Sequence, residues 1–497
     1  MTVRDDVASI GVKALPRSTA EEKGVSSSAL LDFVEAADRE IDSLHSLMVL
    51  RHGKVIAEGW WAPYGPTRPH MLYSLSKSFT STAAGLAIGE GLLNLDDRVV
   101  DFFPEDLPAD STPFLGEMRV RHLLTMTTGH TQDTLGAIRA GGDASWVASF
   151  LRQPVTAEPG THFLYNSGAT YMVSAIVQKV TGQTLVECLT PRLFEPLGIV
   201  GARWESCPSG INTGGWGLNV RTEDIAKFGQ LYLQDGVWEG ERLLPEGWVA
   251  AASAKQVPNG DEPASDWAQG YGFQFWRCRD GIYRGDGAFG QYCIVMPEQD
   301  AVLAITAGVR DMQGVLNLVW DRLLPALGSG SLAADAAAQA RLRERLAGLK
   351  IAGVAGIGKP SSLEVSGRRY RFGDSAQGVK CAALHFEGPT ALLAIEDGRG
   401  EDWITCGLDG IWVEGVTTVS VPGFGIPQGT SVPVVATGAW TDDRTFMARL
   451  CFVETPYYAT ITCRFEGDRM LLDIRTNVAF GPAEWPQMVG VAESATI

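Results

Sequence analysis

The chain has 497 residues, a length that predicts two or three domains rather than one. Apolar residues make up 45% and charged residues 20%, a composition that forms packed cores and excludes wholesale disorder. The 41 Lys and Arg residues against 58 Asp and Glu give a net charge of −17, which argues against coating nucleic acid or an anionic membrane.

The N-terminal sequence lacks the apolar run that follows a basic start in a secretion signal. The longest uncharged run, between Glu414 and Asp442, contains three prolines and several glycines, so it does not read as a membrane helix. The eight cysteines form no CxxC pair, which predicts free, mostly buried thiols in a reducing cytoplasm. The seven histidines show no metal-ligand spacing, and we expect neither a metal nor a cofactor.

Residues 1–327 mix strand and helix patterns and are predicted to form the first domain. Residues 46–61 and 291–306 are each predicted to form a β-hairpin. The sequence between them has mostly helical patterns. This order predicts an α/β (α+β) fold, in which an antiparallel sheet is built from both ends of the region and flanked by helices, with a helical subdomain inserted.

The composition changes after this region. Residues 328–352 are predicted to be a linker with a helix, because residues 331–350 are rich in Ala, Arg and Leu. Residues 353–497 then read as strands. In residues 459–465, for example, Ile461, Cys463 and Phe465 alternate with polar side chains, and a Glu-Gly-Asp turn follows. We therefore expect a C-terminal all-β domain, either a small barrel or a sandwich.

The segment richest in chemical information contains Ser74-Leu75-Ser76-Lys77, an S-x-x-K motif. If a helix begins at Ser74, Lys77 lies one turn later on the same face. A lysine there can take the proton of a serine nucleophile, provided that burial lowers its pKa from about 10.4. The helix N-terminus would also direct backbone N–H groups towards an oxyanion. Taken alone, the motif is more typical of a capped surface helix, since S-x-x-K arises by chance in many chains.

Two later motifs support the catalytic interpretation. Tyr165-Asn166-Ser167 lies 91 residues after Ser74, and Gly285-Asp286-Gly287-Ala288 opens a predicted strand. In order, spacing and flanking sequence, residues 25–327 resemble the serine β-lactamase and penicillin-binding-protein superfamily, and in particular its class C β-lactamase-like serine hydrolase branch.

The resemblance implies a role for each matching residue. Ser74 would be the acylated nucleophile. Lys77 and Tyr165 would form the proton-shuttling pair, with the tyrosine partly deprotonated beside the lysine ammonium. The backbone N–H groups of Ser74 and Ala288 would form the oxyanion hole. Without the resemblance, Tyr165 reads as a core aromatic residue whose hydroxyl is satisfied locally.

Two positions depart from the β-lactamase pattern. Ser167 stands where β-lactamases have Asn, and Gly285-Asp286-Gly287 stands where they have Lys-Thr-Gly. We expect Ser167, Asp286 and Gly287 to contact substrate at a subsite with no cation, whereas the family's lysine lies near a substrate carboxylate. A turn residue between two glycines is the alternative for Asp286. Both variants look more like the carboxylesterase and 6-aminohexanoate-dimer hydrolase type of this branch.

The sequence therefore predicts a serine hydrolase that cleaves ester or amide bonds of small molecules through an acyl-enzyme. A true β-lactamase or D-amino-acid peptidase is the alternative enzyme. An inactive homologue that serves as a binding module is the alternative from another class. The expected partner is a small-molecule substrate, with no nucleic acid and no membrane, and the sequence predicts no particular oligomeric state.

The uncharged residues 415–441 in the C-terminal domain form a separate feature. A long surface loop without charge is unusual, and its apolar side chains would pack best against another apolar surface. We predict that residues 421–427 pack near the acyl-binding cleft and narrow it, which would favour small substrates. The alternative is that residues 415–441 form a strand pair within the β domain.

Overall fold

The structure, a computed structural model, describes residues 13–110, 113–140, 145–328, 330–358, 365–374 and 377–493. Residues 1–12 of the predicted first domain and Ser329 of the predicted linker therefore lie outside the described residues. The same holds for residues 359–364, 375–376 and 494–497 of the predicted C-terminal domain.

A six-stranded antiparallel sheet forms the centre of the first domain. Its strands are β1 (Leu44–Arg51), β2 (Lys54–Trp60), β3 (Trp276–Arg277), β4 (Tyr283–Gly287), β5 (Gln291–Met296) and β6 (Ala301–Ala307), and their spatial order is β2-β1-β6-β5-β4-β3. Because β1 pairs with β6, the two ends of the domain meet in the middle of the sheet. The predicted sheet with an inserted helical region is confirmed.

Five longer helices accompany the sheet: α1 (Ser27–Glu40), α2 (Ser76–Gly89), α3 (Ser167–Thr181), α4 (Thr222–Leu233) and α5 (Ala336–Ala347). Short helical segments are Glu21–Lys23, Tyr73–Leu75, Val99–Phe102, Pro104–Asp106, Pro113–Glu117, Val120–Leu124, Leu135–Ala140, Trp146–Leu151, Leu185–Leu189, Thr190–Phe194, Glu195–Leu197, Trp248–Ser253, Met312–Leu318, Val319–Leu323 and Leu324–Ala326. Short strands outside the main sheet are His70–Met71, Arg203–Trp204, Leu218–Val220, Val237–Trp238 and Glu241–Arg242.

Helices cover both faces of the sheet because side chains alternate along each strand. On β1, Met48 and Leu50 face a core shared with α2, α3 and α4. Leu47 and Val49 face a second core on the opposite side, which is shared with α1. The domain is therefore a three-layer structure, and the helical insertion lies on the face from which α2 carries the S-x-x-K motif.

The predicted linker helix is α5, which is shorter than the predicted range of 331–350. It begins where the side chain of Asp335 accepts a hydrogen bond from the Ala338 N–H, 2.9 Å away. Leu342 of this helix is buried in the core beside α1, so α5 packs on the first domain. The Ile351 N–H then donates to the carbonyl of Ala62 over 2.8 Å, which ties the start of the connection to the same domain.

The C-terminal domain is a closed β-barrel, the first of the two predicted forms. Its strands are β7 (Arg369–Phe372), β8 (Cys381–Glu387), β9 (Thr390–Asp397), β10 (Gly400–Leu408), β11 (Val413–Thr417), β12 (Val432–Trp440), β13 (Thr445–Cys451), β14 (Tyr458–Glu466), β15 (Arg469–Thr476) and β16 (Met488–Ala492). Nine of them form a ring in the order β10-β9-β8-β7-β16-β15-β14-β13-β12. A short parallel pairing of β10 with β12 closes the ring, and β11 pairs with the first half of β12.

The alternation seen in the sequence holds in the barrel. Ile461, Cys463 and Phe465 of β14 are buried in the barrel core, whereas Arg464 is exposed. All eight cysteines of the chain are unpaired and buried, as predicted. Within the described residues, no helix combines the length and the apolar composition that crossing a bilayer requires.

Candidate active site

Ser74 lies immediately before α2, at the border of a large cleft. It occupies the middle of a 3-10 turn, Tyr73–Leu75, and the α-helix begins at Ser76, two residues later than the sequence predicts. Tyr73 has a φ of 47°, a conformation that is rare for a residue with a bulky side chain. The chain therefore enters the helix through a sharp turn that carries the serine.

Helix α2 is buried along most of its length. Residues 76–87 are all buried, although several carry hydroxyl groups. These hydroxyls are hydrogen bonded, since Ser78 donates to the Gln274 carbonyl over 2.9 Å and Ser81 donates to the Phe273 carbonyl over 2.7 Å. The helix is thus fixed by packing and by hydrogen bonds on several sides, which keeps Ser74 on a rigid element.

Lys77 projects from α2 towards Ser74, as the spacing predicts. Its Nζ lies 3.0 Å from Ser74 Oγ, 3.3 Å from Ser167 Oγ and 2.7 Å from the carbonyl oxygen of Gly215. The side chain is only 1% exposed. The S-x-x-K lysine, the Y-x-S serine and the nucleophile therefore meet at one nitrogen atom.

Burial lowers the pKa of Lys77 to about 7, although the carboxylates of Asp133 and Asp286 favour its charged form. At neutral pH a large share of Lys77 is therefore a free amine. A free amine can accept the Ser74 proton while its own two hydrogens are donated to Ser167 and to the Gly215 carbonyl. The contacts of Nζ thus suit a general base.

Tyr165 lies on the other side of this pair. Its hydroxyl is hydrogen bonded to Ser74, its ring centroid is 4.8 Å from Lys77 Nζ, and its ring stacks on Trp276. Burial raises the pKa of Tyr165, the hydrogen bond with Ser74 lowers it, and the charge of Asp286 raises it, and the net shift is upward. The pKa shifts thus favour a neutral amine beside a protonated phenol, in contrast to the expected partly deprotonated tyrosine beside a lysine ammonium.

The Tyr-Asn-Ser motif is held by the start of α3. Asn166 caps the helix, since its Oδ1 accepts from the Gly168 N–H at 3.0 Å and from the Thr134 hydroxyl at 2.8 Å. Ser167 is the first residue of the helix, and its N–H donates to Asp133 Oδ1 over 3.0 Å. The cap therefore fixes the position of the Ser167 hydroxyl against Lys77.

Asp286 forms a salt bridge that was not predicted from the sequence. The Arg284 guanidinium, which is fully buried, donates to Asp286 Oδ2 over 2.8 Å. Arg284 also donates to the Asp266 carbonyl over 2.9 Å, and it lies over the ring of Trp267. The expectation of a subsite with no cation nearby is therefore wrong, because a cation is present and Asp286 neutralises it.

Gly285 and Gly287 let β4 pack closely against the turn that carries Ser74. A Cβ at Gly285 would lie 2.3 Å from Leu75 Cδ1, and one at Gly287 would lie 2.0 Å from the carbonyl oxygen of Leu72. Gly287 is buried and is absent from the residues that line the cleft in the described part of the chain. The structure thus gives Gly287 a packing role, and its contact with substrate stays a prediction.

A Gly287→Ala substitution is expected to lower the free energy of unfolding by about 1–3 kcal/mol, because the new methyl group overpacks the turn. The same displacement should lower activity, since Ala288 follows directly. Gly65→Ala is the matched control, because nothing lies within 4 Å of a Cβ added there. Thermal unfolding and ester hydrolysis of both variants test this, and equal behaviour of the two would contradict it.

The cleft has a volume of about 1310 Å³ and lies between the two domains. Of the predicted site residues, Ser74, Tyr165, Ser167, Asp286 and Ala288 line it. The barrel contributes Gly423, Phe424, Gly425, Ile426, Pro427, Val432, Pro433, Glu454, Thr455, Tyr457 and Phe480.

The uncharged segment thus lies at the cleft, as predicted. The alternative, a strand pair within the β domain, is also correct in part, since residues 415–441 begin in β11 and end directly after β12. The cleft is larger than the ~300–1,000 Å³ of most small-ligand pockets, and the restriction to small substrates stays a prediction.

Comparison with known families agrees with this geometry. The family profile described as Beta-lactamase matches residues 38–314, more than half of the chain. The chain belongs to the β-lactamase family. The matched residues contain the complete sheet and the three motifs, whereas the barrel lies outside the match.

Two curated β-lactamase-family relatives are each 26% identical to this chain. One is the 6-aminohexanoate-dimer hydrolase of Paenarthrobacter ureafaciens, aligned over 278 residues, which are 52% of this chain and 71% of the relative. The other is penicillin-binding protein 4 of Amycolatopsis lactamdurans, aligned over 272 residues, which are 47% of this chain and 70% of the relative. A solved Bacillus anthracis structure, provisionally named a 6-aminohexanoate-dimer hydrolase, gives a TM-score of 0.51 at 21% identity, over 63% of this chain and 87% of that one.

Several residues of this β-lactamase-family site were not predicted from the sequence. Arg284 could have been found, because residues 284 and 286 of one strand point to the same face. Asp133 and Gly215 lie in loops, and the sequence assigned a role to neither of them. Tyr457 and Phe480 come from the barrel, which the family profile does not cover.

Proposed function

We propose that this protein hydrolyses ester or amide bonds of small molecules through an acyl-enzyme on Ser74. The observation that carries the proposal is the 3.0 Å contact between Ser74 Oγ and the Nζ of a buried lysine whose pKa burial lowers to about 7. A serine is a weak nucleophile unless an adjacent base takes its proton, and Lys77 in its neutral form is such a base. Retention of Ser74, Lys77 and Tyr165 in one hydrogen-bonded group argues against an inactive binding module.

In the acylation step, Ser74 Oγ attacks the carbonyl carbon of the substrate and its proton passes to Lys77 Nζ. The carbonyl oxygen becomes an oxyanion, which the N–H groups of Ser74 and Ala288 would stabilise. When the bond to the leaving group breaks, that group takes the hydroxyl proton of Tyr165, and the phenolate is reprotonated from Lys77. These transfers leave Ser74 acylated and both Lys77 and Tyr165 neutral.

Deacylation reverses these roles with water as the nucleophile. The water attacks the ester carbon of acylated Ser74, and Lys77 takes the water proton. Collapse of the tetrahedral intermediate releases the carboxylic acid and returns a proton to Ser74 Oγ. A fluorophosphonate probe tests the shared first step, because it labels only an activated serine, and an unlabelled wild-type protein would rule out the proposal.

The Asp286–Arg284 pair predicts a preference for uncharged substrates. The pair is neutral overall, and the nearby carboxylate of Asp133 is exposed at the cleft. A p-nitrophenyl ester with a neutral acyl chain should therefore have a kcat/KM on the order of 10² higher than one whose acyl chain ends in a carboxylate. Asp286→Asn leaves the Arg284 charge unpaired, so it should reduce the difference in kcat/KM between the neutral and the carboxylate-bearing ester.

The same reasoning separates the proposal from a true β-lactamase or D-amino-acid peptidase, whose substrates carry a carboxylate. Neutral short-chain esters should be hydrolysed much faster than penicillin G or nitrocefin. Comparable kcat/KM values for nitrocefin and for the best ester would contradict the proposal and favour the β-lactamase alternative.

A further inference from the structure

The two N–H groups of the proposed oxyanion hole are each next to a residue with an unfavourable backbone conformation. Tyr73, directly before Ser74, has a φ of 47°, and Phe289, directly after Ala288, has a φ of 68°. Bulky side chains rarely adopt positive φ values, and such residues persist where the surrounding structure holds them. The surroundings of Tyr73 and Phe289 therefore hold the backbone beside the two N–H groups.

Both strained residues are held by the same two barrel residues. The hydroxyl of Tyr457, just before β14, shares a 2.6 Å hydrogen bond with that of Tyr73, and the Tyr457 ring packs edge-on against Phe289 at 5.9 Å. The ring of Phe480, after β15, lies 5.4 Å from Tyr73 and 4.7 Å from Phe289. Tyr73 and Phe289 also contact each other at 5.5 Å.

The backbone reinforces this attachment on both sides. The Met71 N–H donates to the barrel carbonyl of Glu454 over 2.8 Å, three residues before Ser74. Asn477 of the barrel donates to the Gly308 carbonyl over 2.7 Å, and the next residue, Val309, donates its N–H to the Phe289 carbonyl over 3.0 Å. The barrel is thus tied to both backbone segments that supply the oxyanion hole.

We propose that Tyr457 is a positioning residue that acts through Tyr73 to hold the oxyanion hole in its productive geometry, so that the barrel completes the active site. This inference rests on the proposed function. The phenol of Tyr457 need not touch substrate, since its hydroxyl is already bonded to that of Tyr73. Its removal should weaken binding of the transition state more than binding of the substrate.

Tyr457→Phe, which deletes only the hydroxyl, should lower the kcat for a neutral p-nitrophenyl ester about tenfold or more while KM changes little. The affinity for methylboronic acid, whose oxygen occupies the oxyanion hole once Ser74 has added to boron, should fall by the same factor. Tyr458→Phe is the matched control. Its hydroxyl also crosses the domain boundary, donating to Asp42 Oδ2 over 3.2 Å, but it is not among the residues that line the cleft in the described chain.

A double-mutant cycle with Tyr73→Phe isolates the hydrogen bond. If it acts as proposed, either single variant and the double variant lose the same factor in kcat. Phe480→Ala provides an independent test. The residue is 72% exposed, so the substitution should not disrupt folding. It should also lower the affinity for methylboronic acid.

Unchanged kcat and boronate affinity in Tyr457→Phe would overturn the inference, and so would equal losses in Tyr457→Phe and Tyr458→Phe, which would indicate domain docking alone. A loss confined to large boronic acids would show direct contact with the ligand and would also overturn it. Fluorophosphonate labelling of the wild-type protein separates these outcomes from failure of the proposed function.

Discussion

Ser74→Ala is expected to abolish both turnover and covalent labelling, a loss on the order of 10⁶-fold in kcat, as is usual for an essential nucleophile. The fold should survive, because Ser74 is only partly buried and lies outside the packed part of α2. Steady-state hydrolysis of a p-nitrophenyl ester and fluorophosphonate labelling measure the loss, and thermal unfolding measures the fold.

Ser81→Ala is a suitable control because it removes a buried hydroxyl from the same helix. That hydroxyl donates to the Phe273 carbonyl, and it is not among the described hydrogen-bond partners of Lys77 Nζ. It should cost about 1 kcal/mol of stability and leave catalysis intact. Full activity in the Ser74→Ala protein would refute the acyl-enzyme mechanism.

The dependence of activity on pH should follow the protonation of Lys77. Only the neutral amine accepts the Ser74 proton, and burial lowers the pKa of Lys77 to about 7, so kcat/KM should rise with pH through about 7 and then level off. Burial raises the pKa of Tyr165, so that the phenol stays protonated on the plateau. Lys77→Ala and Tyr165→Phe should each lower turnover by on the order of 10²–10⁴.

The variants should differ in the shape of the profile. Tyr165→Phe should keep the rise near pH 7, whereas Lys77→Ala should lose it. Lys227→Met is the control, because burial also lowers the pKa of Lys227, but its Nζ donates to the Gly198 carbonyl and not to a site residue. A rise that persists in Lys77→Ala, or disappears in Lys227→Met, would show that another group is the base.

The sequence predicted those parts of the fold and site that are local in the chain. The alternation in residues 459–465 identified β14, and the spacing of Ser74 and Lys77 placed two catalytic groups on one turn, because a helix brings residues three apart together. The closed barrel could be foreseen only as one of two forms, since ring closure depends on a two-residue parallel pairing of β10 with β12. The upward shift of the Tyr165 pKa could not be foreseen, because burial is set by residues distant in the chain.

Contacts between the domains could not be predicted from the sequence, because they join residues that are distant in the chain. Arg284 was overlooked although its strand position pointed to Asp286, and its guanidinium supplies the cation that we did not expect at the subsite. The uncharged composition of residues 415–441 indicated an apolar environment, which the barrel core and the border of the cleft together provide. No sequence pattern predicted the contact between Tyr73 and Tyr457, because no motif contains both residues.

The separation of Tyr73 from Tyr457 in the chain also sets the order in which the cleft is built during synthesis. The two residues are 384 positions apart, and at about 5–20 residues per second a ribosome needs roughly 20–80 s to add that length of chain. Domains generally fold as they emerge, so the first domain, whose sheet is completed by β6, can assemble the serine and its lysine before the barrel wall opposite them exists. Between the synthesis of β6 and that of Tyr457 the apolar floor of the cleft faces the surrounding solution, and we expect chaperones to bind the nascent chain during that interval.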